Sequence, residues 1–182
     1  MRRTHALTRG LGPTLLCLLA ACEQSPPTSL QPSSAPASAA AGRGGRVVSG
    51  AGQYTGGFGD TKVAVNAVRH ADGTVTGQFE QRNLESGFMM HGSLDCASSD
   101  GSRVYVSGTI LNIQKPGTFD IPEGVGFMLV IEDHGEGANA PPDRVSPFIY
   151  GVPSQSCTDP WIQDFLVVRT DPLESGNFQV AP

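Results

Sequence analysis

From residue 46 to the C terminus, apolar and polar residues alternate in short runs, which is the two-residue period of strands that bury one face. No window sustains a helical period over three turns, and glycine is plentiful at 23 residues in the chain. The pattern predicts an all-β domain, either an antiparallel β-sandwich or a small β-barrel. The predicted strands cover residues 61–70, 74–82, 88–96, 103–113, 125–132, 148–152, 164–169 and 177–180, with a further candidate at 53–58.

The register of the first hairpin follows from its side-chain faces. A two-residue loop would mix polar and apolar residues on both faces, whereas a three-residue loop at 71–73 collects the apolar residues on one face. That loop ends in glycine, which suits the left-handed position of such a turn. We therefore predict that Val65 faces Phe79 and that Ala67 faces Gly77.

The same test favours a three-residue loop at 99–101 in the second hairpin. It predicts that Cys96 points inward opposite Val104 and that Gly92 lies opposite Gly108. Small residues then meet at mid-strand in both hairpins, and glycine within a strand marks a bend or a close approach. Two interpretations stay open, because the small pairs either let the sheet coil or clear the floor of a ligand pocket.

Near the N terminus, an apolar run over residues 11–21 follows three arginines. The run is too short to span a bilayer as a mature helix, and its layout is that of an export signal. Its end reads Leu19, Ala20, Ala21 and Cys22. These four residues match the lipobox of bacterial lipoprotein precursors, which the segment resembles. The resemblance implies cleavage before Cys22 and acylation of that cysteine, and the alternative is an ordinary secretory signal.

The resemblance implies a place in the cell envelope, on the outer membrane or the outer face of the cytoplasmic membrane, with the lipid as the membrane contact. Removal of residues 1–21 takes away three of the 12 basic residues and none of the 17 acidic ones, which leaves a formal charge of −8. A chain of that charge without a Lys/Arg cluster lacks the footprint that phosphate binding requires. Nucleic acid is therefore excluded as a partner.

Serine, proline and alanine dominate residues 22–45. So little apolar surface cannot offset an ordering cost of about 1 to 2 kcal/mol per residue, which predicts a disordered tether. As a flexible coil the tether would hold the domain about 25 Å from the membrane. Residues 46–182 have the size of one domain and show no internal repeat.

Cys96 and Cys157 are the cysteines that remain after Cys22. An exported compartment lets thiols oxidise, and neither cysteine belongs to a CxxC motif or lies at ligand spacing from a histidine. We predict a Cys96–Cys157 disulfide, which would close a loop of about 62 residues and stabilise the fold by about 4 kcal/mol in the chain-entropy model. A metal-binding or reactive thiol is the alternative.

Known catalytic and cofactor motifs are absent from the sequence, including GxSxG, HExxH, the P-loop and GxGxxG. The sequence therefore indicates no catalytic residue and no cofactor. His70 and His91 are expected on the solvated surface. Trp161, the single tryptophan, is expected to pack in the core, and the alternatives are stacking on a sugar or closing a barrel end. Pro160 and Pro172 are expected to bracket the strand at 164–169.

One polar cluster, residues 132–143, deserves a chemical interpretation, and we call it the acidic loop. Its oxygen-bearing side chains are of the kind that Ca²⁺ binds. They belong to Glu132, Asp133, Glu136, Asn139 and Asp143. The favoured interpretation is a polar loop between strands, since its glycines and prolines suit tight turns. A cation site and a metal-assisted or carboxylate-based hydrolase are the alternatives.

Three segments resemble a group of exported bacterial proteins for which we know of no established activity. The segments are 69–77 (RHADGTVTG), 92–96 (GSLDC) and 133–143 (DHGEGANAPPD). The group carries asparagine where this chain has His134 and threonine where it has Asp95, and the first departure weakens a cation role for the loop. The resemblance covers most of residues 50–157 and carries over no functional residue.

The sequence thus predicts a lipid-anchored, disulfide-linked β domain that acts as a binding or structural module. Its partner would be a small ligand or another envelope protein. A binding module predicts a pocket or an exposed apolar patch near the small-residue pairs. An enzyme would instead require convergent titratable groups in a cleft.

Overall fold

The computed structural model of the protein describes residues 44–114, 120–137 and 139–181. These residues form mainly antiparallel strands, which confirms the predicted all-β class. The strands are β1 (Gly45–Gly56), β2 (Gly59–Arg69), β3 (Val75–Asn83), β4 (Met89–Asp100), β5 (Arg103–Gln114), β6 (Gly126–Glu132), β7 (Arg144–Val145), β8 (Ile149–Tyr150), β9 (Asp171–Pro172) and β10 (Ser175–Val180). A 3₁₀ turn (Ser156–Thr158) and the helix α1 (Pro160–Val167) complete the elements of this part of the chain. The predicted signal peptide, Cys22 and most of the predicted tether lie outside it.

All ten strands belong to one curled sheet. Its order is β10-β1-β2-β3-β4-β5-β6-β7-β9, and β8 pairs with β6 beside that path. Alternate residues of the strands point inward and form the main core, which includes Tyr54, Phe79 and Phe127. The rings of Phe79 in β3 and Phe127 in β6 lie 4.8 Å apart between centroids. Side chains of β3 and β6, which are not neighbours in the sheet, therefore pack against each other on its inward face.

A second layer covers the outward face of β4, β5 and β6. Met128 and Val130 point outward there and pack with Tyr105, Ile162 and Leu166. Both faces of β6 are consequently buried, which explains why its sequence is a continuous apolar run rather than an alternating one.

The first hairpin has the predicted register. Val65 pairs with Phe79, and Ala67 pairs with Gly77. Gly73 has a φ of 87°, the left-handed conformation that the three-residue loop requires. The burial of one apolar face was therefore sufficient to fix the pairing of β2 with β3.

The predicted register of the second hairpin is wrong. Asp100 pairs with Arg103, so the turn is shorter than predicted, and Gly92 pairs with Ile110 instead of Gly108. The register shifts twice along β4, between His91 and Gly92 and across Asp95. Each bulge inserts an extra residue into one strand. The alternation of apolar and polar residues in a single strand does not reveal a bulge, because a bulge is defined by the pairing with the partner strand.

Residues 164–169 lie in and just after α1, so the predicted strand at this position is wrong. The helix has eight residues, about two turns, and is too short to show a three-turn apolar period. The sequence nevertheless marks the residue at which the helix starts. The Asp159 carboxylate accepts hydrogen bonds from the N–H groups of Trp161 and Ile162, and Pro160 occupies the first turn.

Trp161 does not pack in the core, contrary to the prediction. It is 74% exposed and stacks on Phe165 with the ring centroids 6.1 Å apart. The guanidinium of Arg169 covers the Phe165 ring at 3.7 Å from its centroid. Pro160 and Pro172 accordingly bracket a helix and not a strand.

Cys96 and Cys157 form the predicted disulfide, with their Cα atoms 5.8 Å apart. The bond lies in the second layer, so Cys96 does not point into the main core as the hairpin register predicted. The N–H of Cys157 also donates to Ser107 Oγ at 3.0 Å, and that hydroxyl donates to the Ser154 carbonyl at 2.6 Å. These bonds hold the segment before α1 against β4 and β5.

Asp95 occupies the second bulge of β4 and carries a buried oxygen, Oδ1, that has no hydrogen-bond partner among the described residues. Burial raises the pKa of Asp95 above its ordinary value, and a hydrogen bond with Ser154 opposes the shift. An acid whose pKa is raised by folding contributes stability below its unfolded pKa, and that contribution is lost as the pH rises through the folded pKa. Ionised Asp95 therefore destabilises the fold at neutral pH.

Replacing Asp95 with asparagine should raise the free energy of unfolding by up to about 1 kcal/mol near neutral pH. Around pH 3 the substitution should have little effect, because the carboxyl group is then largely protonated in both states. Urea unfolding at the two pH values measures the difference. Asp100→Asn, at the exposed end of the same strand, serves as the control. A gain from D95N that is equal at both pH values would contradict this account of Asp95.

Candidate functional site

Glu132 ends β6 and begins the acidic loop with a carboxylate that is almost fully enclosed, at 5% exposure. Its Oε1 accepts a hydrogen bond from Arg103 Nε at 2.7 Å, which raises the pKa of the Arg103 guanidinium. Arg144 Nε and His134 Nε2 lie 3.8 Å and 3.7 Å from Oε2. The charge of Glu132 is therefore compensated within the protein rather than offered to a metal ion.

Asp133 and Asp143 bind the backbone of β10. Asp143 Oδ2 accepts the N–H of Phe178 at 2.6 Å, and Asp133 Oδ2 accepts the N–H of Val180 at 2.8 Å. Asp143 Oδ1 also accepts the N–H of His134 at 2.9 Å, inside the loop itself. Since β10 is an edge strand of the sheet, these carboxylates satisfy N–H groups that no neighbouring strand reaches.

The rest of the acidic loop completes the same contact. Glu136 Oε1 accepts a hydrogen bond from Asn177 Nδ2 at 2.7 Å, while Asn139 is exposed. Within the described residues, no group of three or more His, Cys, Asp or Glu side chains has an arrangement that could hold a metal ion. The geometry thus favours the loop interpretation and adds a role to it. The loop follows β6 and hydrogen-bonds to β10, so it connects two strands that are not neighbours in the sheet order. We call this contact between the acidic loop and β10 the seam.

The two histidines named from the sequence lie at the surface. His70 is exposed, with Nε2 2.7 Å from Thr76 Oγ1. His91 is half-buried, with Nδ1 3.6 Å from an oxygen of Glu80. The prediction that both are solvated surface residues is confirmed for His70 and holds in part for His91.

A pocket of about 290 Å³ opens at one end of the curled sheet, where β1, β3 and β5 end and β2, β4 and β6 begin. We call it the aromatic pocket. It is lined by Gly57, Phe58, Gln81, Asn83, Glu85, Ser86, Phe88, Ile121, Phe148 and Tyr150. Its volume is at the lower end of the range for small-molecule sites.

Phe148 links the core to the aromatic pocket. Its ring centroid lies 6.4 Å from that of Phe79 in the core, 6.5 Å from Phe58 and 6.1 Å from Tyr150. Phe148 itself is buried, whereas Phe58 and Tyr150 are 40% and 47% exposed. The pocket is therefore an aromatic surface that continues the core outward to solvent.

Gln81 provides a polar group within this apolar surface. It is the inward-facing residue two positions beyond Phe79 in β3, and it is only 3% exposed. Gln81 is one of the residues that line the pocket. An amide has two N–H donors and a carbonyl acceptor, so Gln81 can form hydrogen bonds with a polar group of a ligand in the pocket.

Asn83 fixes the rim beside Gln81. Its Oδ1 accepts hydrogen bonds from the N–H and the hydroxyl of Ser86, both at 2.7 Å, and its amide donates to the Phe58 carbonyl. Glu85 lies in the short connection that these bonds hold. The polar rim is therefore positioned before any ligand arrives, which favours binding.

A wider groove of about 470 Å³ crosses the outer face of the sheet. Its side chains include Asn66, Gln78 and Glu80, which are exposed, and Leu111, which is 58% exposed. These polar groups are open to solvent. The aromatic pocket is the stronger candidate because it combines several aromatic rings with a few polar side chains in one lining.

The small residues at mid-strand do not form the floor of the aromatic pocket. A Cβ atom on Gly108 would lie 1.8 Å from the Ser93 carbonyl oxygen. A Cβ atom on Gly92 would lie 2.5 Å from the ring of Phe127. These glycines allow strands and a core ring to approach closely. The sequence left two interpretations open, coiling of the sheet and the floor of a ligand pocket, and this geometry favours the first.

Comparison of the chain with family models, with curated proteins and with solved structures finds no match. The functional conclusion therefore depends on the geometry of the pocket and on the sequence. No helix among the described residues has the length and apolar character needed to cross a bilayer.

Proposed function

We propose that this chain is a lipid-anchored protein of the cell envelope whose β domain binds a small ligand in the aromatic pocket. The ligand would carry an apolar ring or chain and at least one hydrogen-bonding group. The observation that carries the proposal is the pocket itself, in which the inward-facing Gln81 lies in one lining with Phe58, Phe148 and Tyr150.

The rings supply the favourable free energy of binding. Burial of an apolar ligand stabilises by about 25 cal/mol per Å² of surface removed from water, and well-placed ring pairs add about 0.5 to 1.5 kcal/mol each. The Gln81 amide then selects among ligands that fit, since an apolar ligand would leave it unpaired. Affinity and selectivity thus come from different residues of the pocket.

The anchor is consistent with the position of the pocket. The described chain enters the sheet at Gly45, the start of β1, whereas the pocket lies where β1 ends, at Gly56. A lipid on Cys22 followed by the predicted tether would attach at the opposite end of the sheet from the pocket mouth. Membrane attachment would therefore leave the mouth accessible to ligands.

Binding is better supported than the hydrolase alternative. A hydrolase that uses the acidic loop needs carboxylates free to activate water or to hold a metal ion. Asp133 and Asp143 accept backbone N–H groups, and Glu132 accepts a hydrogen bond from Arg103. Their oxygens are committed to the fold.

A fluorescence titration with the neutral probe N-phenyl-1-naphthylamine tests the pocket. We expect saturable enhancement of emission with the wild-type domain. Gly57→Phe should weaken probe binding by at least about tenfold, because Gly57 lines the pocket and a side chain there has open space to extend into it.

The matched control is Gly45→Phe. Gly45 also has open space around the position of a Cβ atom, and it lies at the opposite end of β1. The control variant should bind the probe as the wild type does. Equal affinity for all three proteins, or no saturable binding by any, would overturn the proposed function.

A further inference from the structure

The described lining of the aromatic pocket includes a negative charge. Among its described lining residues, Glu85 is the only one with a charged side chain. Arg82 lies between the lining residues Gln81 and Asn83 in β3, but it belongs to the outward, exposed face of that strand. A cation in the pocket would therefore be attracted to Glu85, whereas an anion would be repelled by it.

The aromatic rings favour a cation in the same place. The faces of aromatic rings carry negative potential, and a cation within about 6 Å of a ring centroid is attracted to it. Phe58, Phe148 and Tyr150 form a chain of rings with successive centroid distances of 6.5 Å and 6.1 Å. Such spacing allows one positively charged group to contact more than one ring.

The position of Glu85 adds a countercharge at the rim. The Asn83–Ser86 hydrogen bonds hold the connection that carries Glu85. The Glu85 carboxylate lies beside Gly59, where a Cβ atom would be 2.9 Å from Oε2. The carboxylate therefore lies next to the turn that carries Phe58, another residue of the lining.

We propose that the ligand of the aromatic pocket is an organic cation, a substituted ammonium group with an apolar body. This inference rests on the proposed binding function and specifies its ligand class. The ammonium group lies against the rings of Phe58, Phe148 and Tyr150 with Glu85 as its countercharge. The apolar body extends along the pocket wall, and a polar atom of the ligand reaches the Gln81 amide.

A pair of probes that differ in charge but not in shape tests the inference. Benzyltrimethylammonium carries a quaternary nitrogen where neopentylbenzene carries a quaternary carbon. Each is used to displace N-phenyl-1-naphthylamine from the wild-type domain. We expect the cation to displace the dye at about one tenth of the concentration that its neutral isostere needs.

Two variants locate the source of the preference. Glu85→Gln should weaken binding of benzyltrimethylammonium by about threefold and leave neopentylbenzene unchanged, because it removes the countercharge without changing the volume. Glu80→Gln removes one negative charge from the outer face of β3, away from the aromatic pocket. This second variant should leave both probes unchanged.

The outcomes separate this inference from the proposed function. If the neutral isostere displaces the dye as well as the cation does, the pocket binds apolar ligands and the inference about charge is wrong. If E80Q and E85Q weaken cation binding equally, the preference is a property of net charge and the assigned site is wrong. If the dye binding is insensitive to Gly57→Phe, the proposed function itself fails.

Discussion

Replacing Asp143 with alanine is expected to lower the free energy of unfolding by about 3 kcal/mol. Asp143 is 4% exposed, and its two oxygens accept the N–H groups of Phe178 and His134. Hydrogen bonds to a charged group contribute about 1.5 to 3 kcal/mol each, and the N–H of Phe178 would be left buried without an acceptor. Urea unfolding measures the loss.

The physical reason is the seam of the curled sheet. Strand β10 is paired on one side with β1, and the Asp143 carboxylate satisfies part of its other side. Hydrogen exchange at the Phe178 amide should accelerate in D143A, because opening of β10 then costs less free energy.

Glu136→Ala is the matched control for Asp143. Glu136 belongs to the same acidic loop and contacts β10 through one exposed hydrogen bond to Asn177. Its removal should change stability by less than about 0.5 kcal/mol. An effect of D143A no larger than that of E136A would show that the seam does not depend on the buried carboxylate.

Removing the disulfide with the double variant C96A/C157A is expected to lower the free energy of unfolding by about 4 kcal/mol under oxidising conditions. The bond joins residues 61 positions apart and fixes the segment that precedes α1. Without it the unfolded chain gains conformational freedom, and the second layer over β4 and β5 loses its covalent attachment. Urea unfolding with and without dithiothreitol measures the effect.

The reduced wild-type protein supplies the control. Its thiols fill nearly the same volume as the disulfide, so its stability should fall to within about 1 kcal/mol of the double variant. A wild type that is equally stable with and without reductant would contradict the role assigned to this bond.

The parts of the fold that the sequence predicted are those with a local signal. The register of β2 with β3 followed from one apolar face and one left-handed glycine, and Gly73 confirms both. The disulfide followed from the count of cysteines. The second hairpin was predicted wrongly because the bulge at Asp95 shifts the faces of β4 partway along the strand.

The error at α1 has a different cause. A short continuous apolar run at 165–168 was interpreted as a strand, and the helix is too short to show its own period. Its capping residues, Asp159 and Pro160, were the better signal. Trp161 was assigned to the core from its apolar area alone, yet it lies on the exposed side of the helix. Which side of α1 faces the sheet depends on how the second layer packs, and the sequence alone does not show this.

The aromatic pocket was beyond prediction from the pattern. Its rings come from turns and from β8, at positions as far apart in the chain as Phe58 and Tyr150. A local trace exists in retrospect, because Phe58 and Phe88 each follow a glycine at the edge of a strand. Gln81 pairs with Val63 on the inward side of the sheet, and its place in the pocket lining is a property of the folded structure.

Native mass spectrometry of the full-length protein, extracted from its own envelope, tests the central claim most directly. The account predicts a mature chain that begins at an acylated Cys22 and carries a small noncovalent ligand. The ligand should be retained by Gly45→Phe and lost from Gly57→Phe. A chain without lipid, or a bound molecule equally abundant in both variants, would contradict the account.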